Sequence, residues 1–399
     1  EGRASRAIKI ARGTGGHRHG VLFLGGVHAR ELVNPDLLVS LALNLCRAFT
    51  ANTGLTFGGK TYSAETIQLL VRGMDTFIFP LVNPDGRVHV QKDPSLGGDS
   101  WWRKNRRVNA GSSCLGADLN RNYDFLWSAN LNASSNPCDY QSYKGPSAFS
   151  EPETRNVRHL LETYPNIECV IDVHSYSEVI LHPWGDDENQ FTNTSMNFMN
   201  PAYNGLRGTV GDTRYKEHIR SADHNWLVDA ANDMRDAIAA VRGRTYTVMQ
   251  SALLYNSGVS GSSKDYAFSR HLADGSKSKV YAYTLETGTE FQPPYSEALN
   301  IISEVSASLI RFCLSCQCAV EEMVSGTELV KALEDWRAFR DNEMRRTAAG
   351  RNYIRLLERH SVELLQIAMR EQRLREQAVD LLRRVDAVVR SRHDPKPQT

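Results

Sequence analysis

VLFLGGVHARE, residues 21–31, is the stretch on which the reading of this 399-residue chain turns. Val21–Leu24 is a run of four apolar residues and predicts a short buried strand. Gly25 and Gly26 then allow the backbone to turn tightly at the strand end. Straight after the turn stand His28 and Glu31, both of types that ligate Zn²⁺ in tetrahedral sites. Asn34 as N-cap and Pro35 at the first helical position predict a helix just beyond. A strand end opening into a helix is where α/β sheets place their chemistry. Alone, the H-x-x-E spacing is weak. A loop histidine beside a surface glutamate explains it equally well, and a third ligand, a base and a substrate site must come from elsewhere.

Outward from this stretch, apolar runs rich in β-branched and aromatic residues alternate with amphipathic helical ones up to about residue 318. Ala7–Ala11, Thr76–Leu81, Cys169–Val173 and Val280–Leu285 join Val21–Leu24 as strands. Asp36–Phe49, Ala64–Val71, Glu151–Tyr164, Ala222–Val241 and Ser296–Cys313 read as helices. The alternation predicts an α/β fold, a mixed, mainly parallel central sheet with helices on both faces. Gly-, Asn-, Ser- and Pro-rich loops at 83–100, 109–117, 128–148 and 255–263 are long enough to suggest function. From Thr327 to Arg392 the composition turns to Glu, Arg, Leu and Ala, with no Pro and one Gly, Gly350. Leu374, Ala378, Leu381, Val385 and Val388 alternate four and three apart, a seam for another helix. Residues 1–318 are therefore expected to form one domain. Residues 319–399 are expected to form a helical hairpin or coiled-coil-like extension with a disordered end, suited to docking, self-association or partner binding.

A net charge of +1 gives no electrostatic argument for nucleic acid or an anionic membrane. No apolar run reaches the roughly eighteen residues that predict a membrane span. Seven cysteines leave at least one unpaired, and the count does not fix the redox compartment.

Three further stretches carry chemistry. CVIDVH, 169–174, ends an apolar strand on His174, which with His28 and Glu31 would complete a His₂Glu set with an open fourth position. VYAYTLETG, 280–288, places Glu286 at a second strand end, either as a solvated acid or as a general base. WWRKNRRVNAGSSCLGADLNRNY, 101–123, gathers Arg103, Lys104, Arg106, Arg107, Asn120 and Arg121. Without net positive charge or an aromatic-interleaved repeat, guanidinium groups beside an Asn amide suit capture of a carboxylate better than nucleic acid.

In order along the chain, HARE (28–31), NPDGR (83–87), WRKNRR (102–107), GADLNRNYD (116–124), DVHSYSE (172–178) and the late Glu286 resemble the zinc metallocarboxypeptidases, most nearly the carboxypeptidase A/B type. The resemblance runs from residue 1 to about 318. It implies a single Zn²⁺ held by His28, Glu31 and His174, with Glu286 as general base. It also implies that Arg103 stabilises the oxyanion. Asn120 and Arg121 would grip the substrate's terminal carboxylate, Tyr255 would close over it, and Arg30 would contact the peptide. By the same resemblance Asp118 orients the first histidine, and Cys114 pairs with Cys138. The implied activity is removal of single C-terminal residues from peptides or proteins by a secreted enzyme. Lys264, just before Asp265-Tyr266, takes the position at the bottom of the pocket for the departing side chain, which implies a preference for C-terminal Glu or Asp. Cys313, Cys316 and Cys318 are left open between a further bridge and free thiols.

The chain departs from the family in places. Family domains begin a few dozen residues before Glu1, so an edge strand and helix are expected to be missing. The loop after Glu286 is shorter and that after Tyr255 longer, and the 320–399 tail has no counterpart. Two alternatives stand beside the peptidase reading: a catalytically silent scaffold on the same fold, and a zinc amidohydrolase or esterase acting on non-peptide acyl substrates.

Overall fold

The chain opens with strands β1 (Ile8–Ile10) and β2 (His19–Leu24), then helix α1 (Val33–Ala51). These come from a computed structural model, which describes residues 3–12, 18–317, 327–332, 335–336, 339–340, 343–359, 364 and 371–393. A small hairpin of β3 (Leu55–Phe57) and β4 (Lys60–Tyr62) leads into α2 (Ala64–Gly73), whose N-cap Ser63 accepts from the Thr66 N–H. Then come β5 (Met74–Phe79), α3 (Pro84–Gln91), α4 (Pro152–Thr163), β6 (Ile167–His174) and β7 (Val179–His182). Short β8 (Asn189–Gln190) and β9 (Glu217–His218) pair with each other. After them follow α5 (Ser221–Arg242), β10 (Thr247–Gln250), α6 (Ser251–Leu254), α7 (Ser263–Ala273), β11 (Tyr281–Glu286) and α8 (Tyr295–Cys316). Helices α9 (Ala348–Arg359) and α10 (Gln372–His393) lie in the tail.

Seven strands form one sheet in the order β1-β5-β2-β6-β11-β7-β10. The β1–β5 and β11–β7 junctions are antiparallel and the other four parallel, so the sheet is mixed and mainly parallel, as expected. β2 is buried at every position, the mark of a strand covered on both faces. β6 and β11 run in register, Ile171 beside Tyr283 and Asp172 beside Thr284. Strand alternation sends Ile171 and Tyr283 to one face, where the Tyr283 hydroxyl donates to Leu227 O of α5 and its ring meets Phe312 of α8. It sends Asp172, His174, Thr284 and Glu286 to the other face, where Ser263 at the start of α7 touches Asp172. Helices thus cover both faces, and the two strand-end residues His174 and Glu286 stand side by side.

Several expectations need correction. Helix α1 starts at Val33 after Leu32, so Asn34 is not its N-cap. The Asn34 side chain is instead spent on the site: its Nδ2 donates to Glu31 Oε2 at 3.4 Å and its Oδ1 accepts from Thr287 at 3.1 Å. Helix α8 is, by length and mean hydropathy, apolar enough to cross a membrane, although Glu297, Glu304 and Arg311 interrupt it and no unbroken apolar run of that length occurs. Ile301, Val305, Leu309 and Phe312 direct that apolarity into the core of the domain. In α10 the expected seam is displaced by about one residue. Leu374, Leu381, Val385 and Val388 are exposed, while Val379 and Val389 are buried. The buried stripe also carries Asp386, whose Oδ1 accepts from Trp336 Nε1 at 3.0 Å; the apolar residues on α10 form a stripe wide enough for either face to turn inward. The expected disordered end lies outside the described residues.

Cys114 and Cys138 are bridged, with Cα atoms 5.0 Å apart. A second bridge joins Cys169 of β6 to Cys316 of α8, which answers the open question for Cys316. Cys313 is a buried thiol and Cys46 an exposed one.

Candidate active site

His28 and Glu31 sit on the turn between β2 and α1. Gly26 makes that turn with φ +60°, and a Cβ there would meet Leu81 Cδ1 at 2.8 Å. The turn is pinned from outside: Asn83 Nδ2 donates to Val27 O and to Lys104 O, both at 3.1 Å, and Ala29 N donates to Arg103 O at 3.0 Å. The NPDGR, HARE and WRKNRR segments are therefore one hydrogen-bonded unit.

His174 reaches the same point from the end of β6. Its Nδ1 lies 3.0 Å from His28 Nδ1 and 3.1 Å from Glu31 Oε2, and His28 Nδ1 lies 2.7 Å from Glu31 Oε1. All three residues are buried, and their ligand atoms fall within 4.8 Å of one another. Two imidazole nitrogens and a carboxylate brought this close make a donor set that fits Zn²⁺ in kind and number. Glu31 is further fixed by the Ser175 N–H, 3.0 Å from Oε2. Burial opposes its ionisation, but His28 and His174 hold its carboxyl well below the ordinary range.

Behind His28, Asp118 Oδ1 stands 3.1 Å from Nε2. The other oxygen of Asp118 accepts Arg103 Nε and Nη2 at 3.2 and 2.9 Å. Asp118 is wholly buried, and Arg103 with His28 keeps it ionised against the cost of burial. Asn120 and Arg121 follow on a short 3₁₀ turn, Leu119–Arg121, capped by Asp118. Asn120 Oδ1 accepts the Ser263 N–H at 2.9 Å, so its amide nitrogen is turned towards His174, 3.4 Å away. Arg121 spends two donors on Asn132 O and Asn120 O, both at 2.8 Å. Arg103, Arg121, the Tyr255 phenol and Glu286 lie close enough to act on one another electrostatically. Glu286 is buried, and desolvation pushes its carboxyl up to about 8, with His174 and Arg103 opposing and Glu31 adding to the rise.

The sequence profile described as "Zinc carboxypeptidase" matches residues 1–308 of this chain. The chain belongs to the zinc carboxypeptidase family. Among similar proteins, mouse carboxypeptidase A4 is 28% identical over 286 residues, which make up 72% of this chain and 54% of that protein. Carboxypeptidase B of the crayfish Astacus astacus is 31% identical over 290 residues, 72% of this chain and 75% of the relative. The chain thus spans only about half the length of the first of these. A crystal structure of thrombin activatable fibrinolysis inhibitor superposes with a TM-score of 0.59 at 23% identity, covering 77% of this chain and 65% of that one, a likeness of fold.

Within this carboxypeptidase fold the remaining expected residues lie further out. Arg30 is half-buried at the rim, its guanidinium 4.2 Å over the Phe291 ring and its Nη2 2.8 Å from Gln141 Oε1. Tyr255 is 49% exposed on its loop. Lys264 is fully buried, its Nζ 2.5 Å from Asp265 Oδ1 and beside Gly185. Burial pushes its ammonium below the usual lysine range, and Asp265 opposes. Asp172 and Ser263 were not singled out from the sequence, and Asn34 reads there only as a helix cap. Asp172 stands two residues before His174 on a strand, hence on the same face, and that spacing was the available signal.

Proposed function

We propose that this chain is a zinc-dependent metallocarboxypeptidase that releases the C-terminal residue from peptides and proteins. The observation that carries it is the convergence of the His28–Glu31–His174 set with a paired guanidinium group, a second arginine and a buried carboxyl at two adjacent strand ends. Zn²⁺ bound by His28, Glu31 and His174 supplies Lewis acidity, polarising the scissile carbonyl and acidifying water.

The protein's own groups do the rest. Glu286, in its ionised form, takes a proton from the attacking water and returns it to the leaving amine; burial pushes its carboxyl up, which makes that carboxylate a stronger base than an ordinary one. Arg103, fixed by two hydrogen bonds to Asp118, offers positive charge where the oxyanion develops. Arg121 retains N–H donors beyond the two it has spent, and with Asn120 it pairs the substrate's terminal carboxylate. An internal peptide bond presents no such carboxylate, so cleavage is confined to the end. Tyr255 covers that carboxylate, and Arg30 at the rim contacts the preceding residues. Lys264 gives a modest preference for acidic C-terminal residues. Two disulfides among the described residues suit a secreted enzyme. Residues 1–318 are the catalytic unit and 319–399 an accessory helical extension.

The test is metal analysis together with hydrolysis of N-blocked dipeptides. About one zinc per chain is expected, as for such ligand sets, with free amino acid released from substrates bearing a C-terminal carboxylate and none from their C-terminal amides. Zinc-free protein that still hydrolyses, or equal cleavage of the amides, overturns the reading.

A further inference from the structure

Both metal-holding histidines have a buried carboxylate behind them. His28 turns Nδ1 inward and sets Nε2 3.1 Å from Asp118 Oδ1. His174 does the same, with Nδ1 inward and Nε2 3.0 Å from Asp172 Oδ2. We propose that Asp172 is a positioning residue for the metal site, holding the His174 imidazole with its proton on Nε2 so that Nδ1 faces Glu31 and His28 as a lone pair.

Asp172 and His174 are two residues apart on β6, and strand alternation puts both on the face where α7 begins. In-register pairing with β11, Asp172 to Thr284 and His174 to Glu286, holds their backbone from the side. Asp172 is wholly buried, and a carboxylate so placed is costly unless donors meet it. Two groups converge on Oδ2: His174 Nε2, 3.0 Å away, and the hydroxyl of Ser263, the first residue of α7, which donates to it. The other oxygen, Oδ1, has no hydrogen-bond partner. An imidazole has one proton to place between two nitrogens; with Nδ1 turned to a metal held with Glu31 and His28, the acceptor behind Nε2 keeps the proton there. A charged acceptor also strengthens the lone pair on the far nitrogen, the one that meets the metal.

The arrangement reaches beyond the histidine. The backbone N–H of Ser263 donates to Asn120 Oδ1, while its hydroxyl donates to Asp172. One residue at the start of α7 therefore orients both the carboxylate behind His174 and the Asn120 amide. The zinc ligand and the carboxylate grip are set by the same helix end.

This rests on the zinc reading above, and the experiment separates the two. Zinc affinity is measured by competition with a chromophoric chelator on the full chain, for wild type, Asp172→Asn, Asp172→Ala and Ser263→Ala. Both Asp172 variants are expected to bind Zn²⁺ roughly 10- to 100-fold more weakly, as for other partners of ligating histidines. Ser263→Ala removes the second donor but keeps the imidazole contact, and is expected to lose much less. Zinc held equally tightly by wild type and Asp172→Asn overturns the role of Asp172, as does a Ser263→Ala loss as large as that of Asp172→Asn. A wild type that binds no zinc overturns the metal reading itself and this inference with it. A second measurement needs no variant: in ¹⁵N-histidine spectra of zinc-loaded wild type, His174 must carry its proton on Nε2. A proton on Nδ1 overturns the proposal.

Discussion

At the level of single side chains, two residues invite direct tests. Glu286 is buried, which pushes its carboxyl well above the usual carboxylate range; it stands beside His174, with no assigned ion-pair partner of its own among the described residues. Glu286→Gln keeps size and hydrogen-bonding shape but cannot accept the proton. Zinc content is expected to stay at the wild-type level while kcat falls by roughly three orders of magnitude or more, within the range for loss of a general base. Near-normal turnover removes Glu286 from that role. Lys264 makes a smaller claim, because its ammonium already meets Asp265. Of its three N–H donors one is taken, so a substrate carboxylate gains a shared partner, worth roughly 1 kcal/mol or about fivefold over an apolar residue. The check is kcat/KM for matched peptides ending in Glu and Leu, with wild type and Lys264→Met. The preference should vanish in the variant, and a wild type that favours Leu disposes of it.

At the level of elements, the segment closed by Cys114–Cys138 supports the site from one side. The bridge spans a sequence separation of 24; just past Cys138, Gln141 O accepts Arg103 Nε at 3.0 Å, and Tyr143 O accepts the N–H of Asp118, which lies inside the closed loop, at 2.6 Å. Replacing both cysteines by Ser should lower stability by roughly 3 kcal/mol in the chain-entropy model. It should also lower kcat, since the loop that holds Arg103 and Asp118 is loosened. Thermal melts and blocked-dipeptide kinetics read the two effects, and a stability loss with unchanged kcat separates the loop from the site. The elements legible in the sequence were those whose apolar period is uninterrupted: β2, β5, β6 and β11 among strands, α2, α4, α5 and α8 among helices. Strands β7 and β10 have four residues each, too short for a period to declare itself. Helix α7 hid because its buried face carries Ser263, Lys264, Asp265 and Arg270. The start of α1 was misplaced because Asn34, the natural cap by type, is held by Glu31 and Thr287 instead. For the site, ordered motifs pointed to the residues that line it. Pairwise orientation is a tertiary property, so the Asp172–His174 contact and the Ser263–Asn120 bond were not readable from spacing alone.

At the level of the whole molecule, two buried groups of opposite sign contribute to the pH dependence of stability. His182 of β7 is buried, and desolvation lowers its pKa to about 4 from the ordinary 6.5. A folded value below the unfolded one means stability is intact above 6.5 and is lost as pH falls towards 4. Glu217 of β9 is wholly buried next to Asp186, with Tyr215 donating to it, and burial pushes its carboxyl up to about 7 from 4.5. A folded value above the unfolded one means its contribution is fully present below 4.5 and is lost as pH rises through 7. The windows overlap, and each shift is worth roughly 3 kcal/mol at full titration, so between pH 7 and 5 the two contributions oppose and nearly cancel. Glu217→Gln removes one side of the balance. Its melting temperature is expected to fall between pH 7 and 5 relative to wild type over the same interval, by several degrees for a domain this size. The zinc ligands are common to both proteins, so their own titration drops out of the difference. Parallel pH profiles for wild type and Glu217→Gln would show that Glu217 contributes no pH dependence to stability in this interval.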